Sequence, residues 1–193
     1  MPSSKRDHLV ETALGLFYER GFHATGIDTI LREAGVAKMT LYNHFKSKDE
    51  LIVAALDLHD ARFMEWFGKR VDELADAPHD KLLVMFDVLE EWFASDAFNG
   101  CVFINAAAEY GNCNDPVHEA AARHKRLTFD YIVGLAQQAG ATDPRALAQQ
   151  LLLLQEGAIV VAHVLDAPIA ARQARRAAHT LIDQGVIDHA LAG

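Results

Sequence analysis

Cysteine is almost absent from this chain of 193 residues: Cys101 and Cys113 are the only two. Their spacing matches no metal-binding pattern, and two thiols supply no disulfide framework of the kind small secreted folds rely on. Proline occurs five times, and three of these stand where helices start, at Pro78, Pro116 and Pro144. No apolar run approaches the roughly 18 residues of a membrane helix, and residues 1–11 hold no apolar signal core. A cytoplasmic protein with no membrane partner is expected. Strand alternation, internal repeats and low-complexity segments are missing too, which leaves an all-α chain. Catalytic signatures are equally scarce. A carboxylate-bridged di-iron bundle needs Glu-x-x-His on two helices, and no Glu here has His three residues on. There is no His-Glu-x-x-His, no Gly-rich phosphate loop and no Gly-x-Ser-x-Gly.

Histidine, by contrast, is plentiful at ten. His59, His118, His124, His163 and His179 fall on helices without forming paired ligand sets, and His118 and His124, six apart, lie on different faces. No metal, cofactor or catalytic residue is expected, and the chain reads as a non-enzyme. A helical-bundle enzyme stays open as the alternative, as does a DNA-binding protein without ligand response. Cys101 opens a helix, where a thiolate would be favoured, but it is read as an inert core cysteine.

What is present is apolar mass and an uneven charge. The chain is 51% hydrophobic and 23% charged, enough for a small domain plus a larger one. Net charge is −9, which argues at first against a nucleic-acid partner. Residues 1–48, however, hold seven Lys/Arg and five Asp/Glu, net +2, which leaves −11 for the rest. A mildly basic head on an acidic body suits a protein that presents one end to DNA.

That head contains TGIDTILREAGVAKMTLYNHFKSKDEL, residues 25–51. Thr25 followed by Asp28 is a capping-box pattern, so a helix is expected from about Gly26. Ile27, Ile30, Leu31 and Ala34 share one face, and Gly35 supplies the left-handed turn that ends the helix. A second helix is expected over residues 38–45, with Leu41 and Phe45 inward. Lys38, Met39, Thr40, Tyr42, Asn43 and His44 then face outward, with no carboxylate to repel phosphate. Ser47 to Glu50 is another capping box and opens a third helix, with Lys48 in its first turn, where free N–H groups favour phosphate. Two short helices joined by a Gly turn form a helix-turn-helix, whose second helix can enter the major groove.

The run GVAKMTLYNHFKSKDEL resembles the signature of the TetR family of one-component transcriptional regulators, with Leu41, Tyr42, His44, Phe45, Lys48 and Leu51 on the motif. Two departures are Leu31, where many members carry a small residue, and Ala37, where many carry a Ser or Thr N-cap. The missing cap costs on the order of 1 kcal/mol. The resemblance implies a homodimeric, ligand-responsive regulator, most often a repressor, that binds a pseudo-palindromic double-stranded operator and is released by a small-molecule inducer. It places Thr25, Tyr42, His44 and Lys48 on phosphates, and Lys38, Met39, Thr40 and Asn43 at base edges.

The remaining chain reads as helices. The first spans about residues 5–20, with Leu9, Val10, Ala13, Leu14 and Phe17 inward. Later helices cover about 47–75, 78–94, 101–110, 116–139, 144–165 and 169–185, with a tail from Val186 expected to fray. The short helix at 101–110 is nearly all apolar and should be buried all round. The expected division is a helix-turn-helix domain at 1–47 and a ligand-binding and dimerisation domain at 48–193.

Within that body, the helix at 145–165 has two apolar stripes, and a second stripe needs a second partner. The dimer interface is expected on the stripe Leu147, Leu151, Leu154, Ala158, Val161 and Leu165, with Ala174, Ala178 and Leu181 of the last helix. The other stripe is Leu153, Gly157, Val160 and Val164. An inducer pocket is expected among Phe63, Trp66, Phe67, Phe86, Trp92 and Tyr131. Asn105, Glu109, Tyr110 and Gln155 are its candidate polar groups. A mainly apolar inducer with a polar or cationic end would fit, since Glu109 could pair with a cation.

Overall fold

The computed structural model describes residues 4–187, and among these it contains nine helices and no strand. They are α1 (Lys5–Arg20), α2 (Ile27–Ala34), α3 (Lys38–Tyr42), α4 (Lys48–Leu74), α5 (Pro78–Phe93), α6 (Val102–Glu109), α7 (Pro116–Gln138), α8 (Pro144–Leu165) and α9 (Ala170–Ile187). The all-α architecture is therefore as the sequence indicated. The tail from Val186 was expected to fray, yet α9 continues through Ile187. Residues 188–193 lie outside the described residues.

Local chemistry explains most of the boundaries. Ser4 accepts from the Asp7 N–H, and Asp7 accepts from the Ser4 N–H, a complete capping box for α1. Asp115 accepts from the Val117 N–H ahead of α7, and Asp143 from the Ala146 N–H ahead of α8. Pro78, Pro116 and Pro144 each occupy a first helical position, where the missing N–H costs nothing. Gly35 ends α2 at φ 63, ψ 31, and its N–H and that of Val36 return to the carbonyls of the last turn.

By packing, the chain divides into two compact units, with the divisions at Phe63/Met64, Gly100/Cys101 and His124/Lys125. The first unit holds α1 to α3, the first part of α4, α6 and the start of α7. The second holds the rest of α4 and α7 with α5, α8 and α9. This grouping follows contacts, and it assigns to the first unit helices that lie beyond residue 47.

The core of the first unit is Leu9, Val10, Ala13, Leu16 and Phe17 of α1, Ile30, Leu31 and Ala34 of α2, and Leu41, Phe45, Leu51, Ile52 and Ala55. Leu16 takes the buried place expected for Leu14, which is only half-buried. α6 buries Val102, Phe103 and Ala106, but Ala108 is exposed. The expectation of burial all round is thus corrected: an apolar composition built largely of alanine tolerates a solvent-facing side.

In the second unit α8 packs on α9, and both pack on α5. The small side chains of Ala170, Ala171, Ala174 and Ala178 on α9 are buried and permit close approach. α8 is the one described helix long and apolar enough to cross a membrane by length and composition, at a mean hydropathy of 1.3. Gln and Glu side chains interrupt it, so it holds no continuous apolar run of that length.

Candidate nucleic-acid interface

α3 is a short helix with two unlike sides. Leu41 and Phe45 are buried where α1, α2 and α3 pack together. α3 ends three residues short of the expected Phe45, but the Phe45 N–H still donates to the Leu41 carbonyl at 2.9 Å. The turn therefore keeps its helical course far enough to seat the phenyl ring, and the Arg6 guanidinium covers that ring at 5.2 Å from its centroid. Ala37 caps α3 with no side-chain hydrogen bond.

The outward side gathers the residues the sequence pointed to. Lys38, Met39, Tyr42, Asn43 and His44 are exposed, and Thr40 is half-buried. Met39 is 73% exposed. No carboxylate interrupts residues 38–46. The surface offers one ammonium at Lys38, hydroxyls, an amide, an imidazole and one bare thioether.

Two of the expected contacts sit differently. Thr25 is only 1% exposed. Its hydroxyl donates to the Gly21 carbonyl at 2.7 Å and lies 3.3 Å from that of Leu16. α2 begins from Gly26 with no side-chain cap. Both the cap and the phosphate contact assigned to Thr25 are therefore corrected: the hydroxyl is consumed inside the unit, closing the link from α1 to α2. Lys48 is half-buried, and its Nζ donates to the Phe22 carbonyl at 2.6 Å. Burial pushes its pKa down, against the pull of Asp49 and Glu109. Ser47 caps α4 by accepting from the Glu50 N–H, while the Glu50 carboxylate turns to the Lys46 N–H.

The link between α1 and α2 has a further anchor that the sequence did not reveal. Glu109 accepts from the backbone N–H groups of Phe22 and His23, at 2.9 and 2.6 Å, and from His23 Nδ1 at 2.8 Å. Tyr110 stacks on the His23 ring at 4.8 Å, and its hydroxyl donates to Asp49 at 3.3 Å. Burial and the neighbouring carboxylates raise the Tyr110 pKa. Glu109 was expected to orient an inducer. Its carboxylate instead holds two backbone N–H groups and the His23 ring, which corrects that assignment.

The other nine inducer candidates divide between the units. Phe63, Asn105 and Tyr110 belong to the first. Phe63 faces His124, which sandwiches against Phe103 and bonds Asp60 at 2.6 Å. In the second unit Phe67 and Phe86 are buried core, and Phe67 meets Tyr131 edge to face at 6.2 Å. Trp66 is partly exposed beside Phe67, and Trp92 packs on Phe93 and Phe98. Gln155 is buried with its Nε2 at 3.9 Å from Met85 Sδ. None of the ten lines either of two concavities. One, about 740 Å³, lies along α1 and α4 in the first unit and is edged by Arg6, Asp7, Glu11, Asp57 and Arg62, charges already paired with neighbours. The other, about 270 Å³, lies between α8 and α9. Among the described residues no group of three or more His, Cys, Asp or Glu side chains is placed to hold a metal ion.

The expected dimer stripe is also re-sorted. Leu147, Leu151 and Ala158 of α8, and Ala174 and Ala178 of α9, are buried inside the chain itself. Leu154 and Leu181 are half-buried, and Val161 and Leu165 are exposed. The apolar side chains left in solvent are mainly those of the other stripe, Leu153, Val160 and Val164, with Gly157 between them.

A three-helix core carrying a short helix with a polar, carboxylate-free outer face defines a helix-turn-helix DNA-binding regulator. The model for bacterial regulatory proteins of the tetR family matches residues 9–55, and that for the tetracyclin repressor-like C-terminal domain matches residues 78–178. The chain belongs to the TetR family, whose members regulate transcription rather than catalyse reactions. The structure of SCO4454, a TetR-family transcriptional regulator from Streptomyces coelicolor, superposes with a TM-score of 0.85 at 31% identity, covering 94% of this chain and 96% of that one. The transcriptional regulator AcuR of Cereibacter sphaeroides is 27% identical over 160 residues, 79% of this chain and 73% of AcuR. The transcriptional repressor KstR2 of Mycolicibacterium smegmatis is 34% identical over 88 residues, but the match spans only 44% of this chain and 41% of KstR2.

Proposed function

We propose that this chain is a ligand-responsive repressor that binds a pseudo-palindromic operator as a homodimer. The observation that carries the reading is the outer face of α3, where Lys38, Met39, Tyr42, Asn43 and His44 stand clear of the core on the anchors Leu41 and Phe45. Lys38, Met39, Thr40 and Asn43 would face base edges in the major groove, with Tyr42, His44 and Lys48 on phosphates. Two such heads would read half-sites about one helical turn, or a multiple of it, apart. Dimerisation is supported by the solvent-facing apolar stripe of α8, since a second apolar face requires a second partner. The functional division after residue 47 belongs to this reading.

The inducer would be small and mainly apolar, received by aromatic side chains such as Trp66, Phe67 and Tyr131. It can release DNA only by binding one state of the dimer better than the other. A duplex selected by the protein from a random library, labelled for fluorescence anisotropy, tests the whole reading. Binding should be saturable, salt-sensitive and two chains per duplex, and some member of a panel of small apolar compounds should reverse it. Selection that enriches no sequence would overturn the DNA-binding role, and enrichment with release by no compound would favour a regulator without ligand response.

A further inference from the structure

Resting on the DNA-binding reading above, we infer that Met39 is a specificity residue that reads the 5-methyl group of a thymine in each operator half-site. Met39 lies in the first turn of α3, whose inward residue Leu41 is buried, yet 73% of the surface of Met39 stays in solvent. Leaving a long apolar side chain exposed there contributes nothing to the fold, because Leu41 and Phe45 already anchor α3. Its neighbours Lys38, Tyr42, Asn43 and His44 are all exposed and hold no carboxylate. Met39 and Asn43 stand four apart, joined by the Asn43 N–H to Met39 carbonyl bond at 3.0 Å, so they share one side of the helix.

The chemistry of the side shared by Met39 and Asn43 points to an A·T pair. The strongest guanine reader is a bidentate arginine, and residues 35–48 contain none. Lys38 is the sole cation within α3 itself. Lys38 can read a guanine of its own, and on the side of the helix shared by Met39 and Asn43 the groups left for discrimination are an amide, suited to adenine, and an apolar tip. In the major groove only thymine offers an apolar group on its edge, the C5 methyl. A flexible thioether packs on such a group without demanding one fixed geometry.

The test uses the full chain and the duplex it selects from a random library. The selected half-site should contain a thymine preferred over every other base at that position. Replacing that thymine by uracil removes one methyl and leaves every hydrogen-bonding group in place. Wild-type affinity should fall roughly fourfold, the loss expected for exposing one buried methyl. Met39→Ala should bind the thymine duplex more weakly and lose its ability to tell thymine from uracil. Met39→Leu should restore the discrimination. Equal wild-type binding to both duplexes, or an undiminished preference in Met39→Ala, would overturn the assignment while leaving operator binding intact. A selection that enriches nothing would overturn both.

Discussion

Glu109 grips His23 twice, taking its backbone N–H at 2.6 Å and its ring Nδ1 at 2.8 Å on the same carboxylate oxygen. The other oxygen takes the Phe22 N–H. The Phe22 carbonyl in turn receives the Lys48 ammonium. The loop from α1 to α2 is thus held on one side by the end of α6 and on the other by the start of α4. Hydrogen bonds to a charged acceptor are worth about 1.5–3 kcal/mol each when desolvated, and this carboxylate is only partly exposed.

Glu109→Gln keeps the shape but offers a neutral acceptor and one oxygen fewer. Stability should fall by about 1–2 kcal/mol, which for a chain of this size lowers the melting temperature by several degrees. Thermal unfolding followed by circular dichroism reads this directly. An unchanged midpoint would mean that the carboxylate adds nothing to holding Phe22 and His23.

The same contact carries a pH signature. Burial pushes the Glu109 carboxyl up, but the His23 and Phe22 N–H groups and the His23 ring pull it down further, so its pKa lies below the ordinary 4.5. A carboxyl lowered by folding stabilises the native state above its unfolded pKa. That contribution disappears as pH falls through the lower, folded value. The stability gap between wild type and Glu109→Gln should therefore be constant near neutrality and shrink below about pH 4.5. Groups remote from residue 109 titrate alike in both proteins and cancel in the difference, and making the comparison in a His23→Asn background removes the one ring bonded to that carboxylate. Denaturant melts between about pH 3 and 7 give the curve, and a gap that widens on acidification would reverse the sign assigned here.

Lys48 has three donors and spends one on Phe22. The others remain for a phosphate, and a phosphate contact carries no sequence information. Lys48→Ala should weaken selected and random duplexes alike and reduce the salt slope by about one unit. Binding isotherms at several salt concentrations decide it. A loss confined to the selected duplex, at an unaltered slope, would assign the side chain to a base.

The elements legible in the sequence were those governed by neighbours in the chain. Pro116, Pro144 and the left-handed Gly35 act within a few residues, and each marked its boundary well. The outer face of α3 was legible for the same reason, since Leu41 and Phe45 fix which side points in. Thr25 was misplaced because a capping pattern does not reveal that a carbonyl of the preceding helix, that of Gly21, offers a buried partner. Glu109 was misplaced because its partners, Phe22 and His23, are remote in sequence. Periodicity showed that α8 has two apolar faces but held no information on which of them α9 would cover.

That last ambiguity yields a direct test of assembly. Ala158 lies on the face that packs within the chain and is buried, whereas Val164 is 70% exposed. A charge at the two positions should therefore have opposite consequences. Ala158→Glu places an unpaired carboxylate against the chain's own core, which costs several kcal/mol and should cause unfolding or a sharply lowered melting temperature. Val164→Glu leaves the carboxylate in water in the single chain and should not disturb its fold. If the Leu153, Val160 and Val164 stripe is covered by a second copy, the same charge is buried on association and should split the dimer. Sedimentation velocity, with circular dichroism as the control for folding, separates the cases. A Val164→Glu protein that stays a folded dimer at low concentration would place the interface elsewhere on the body.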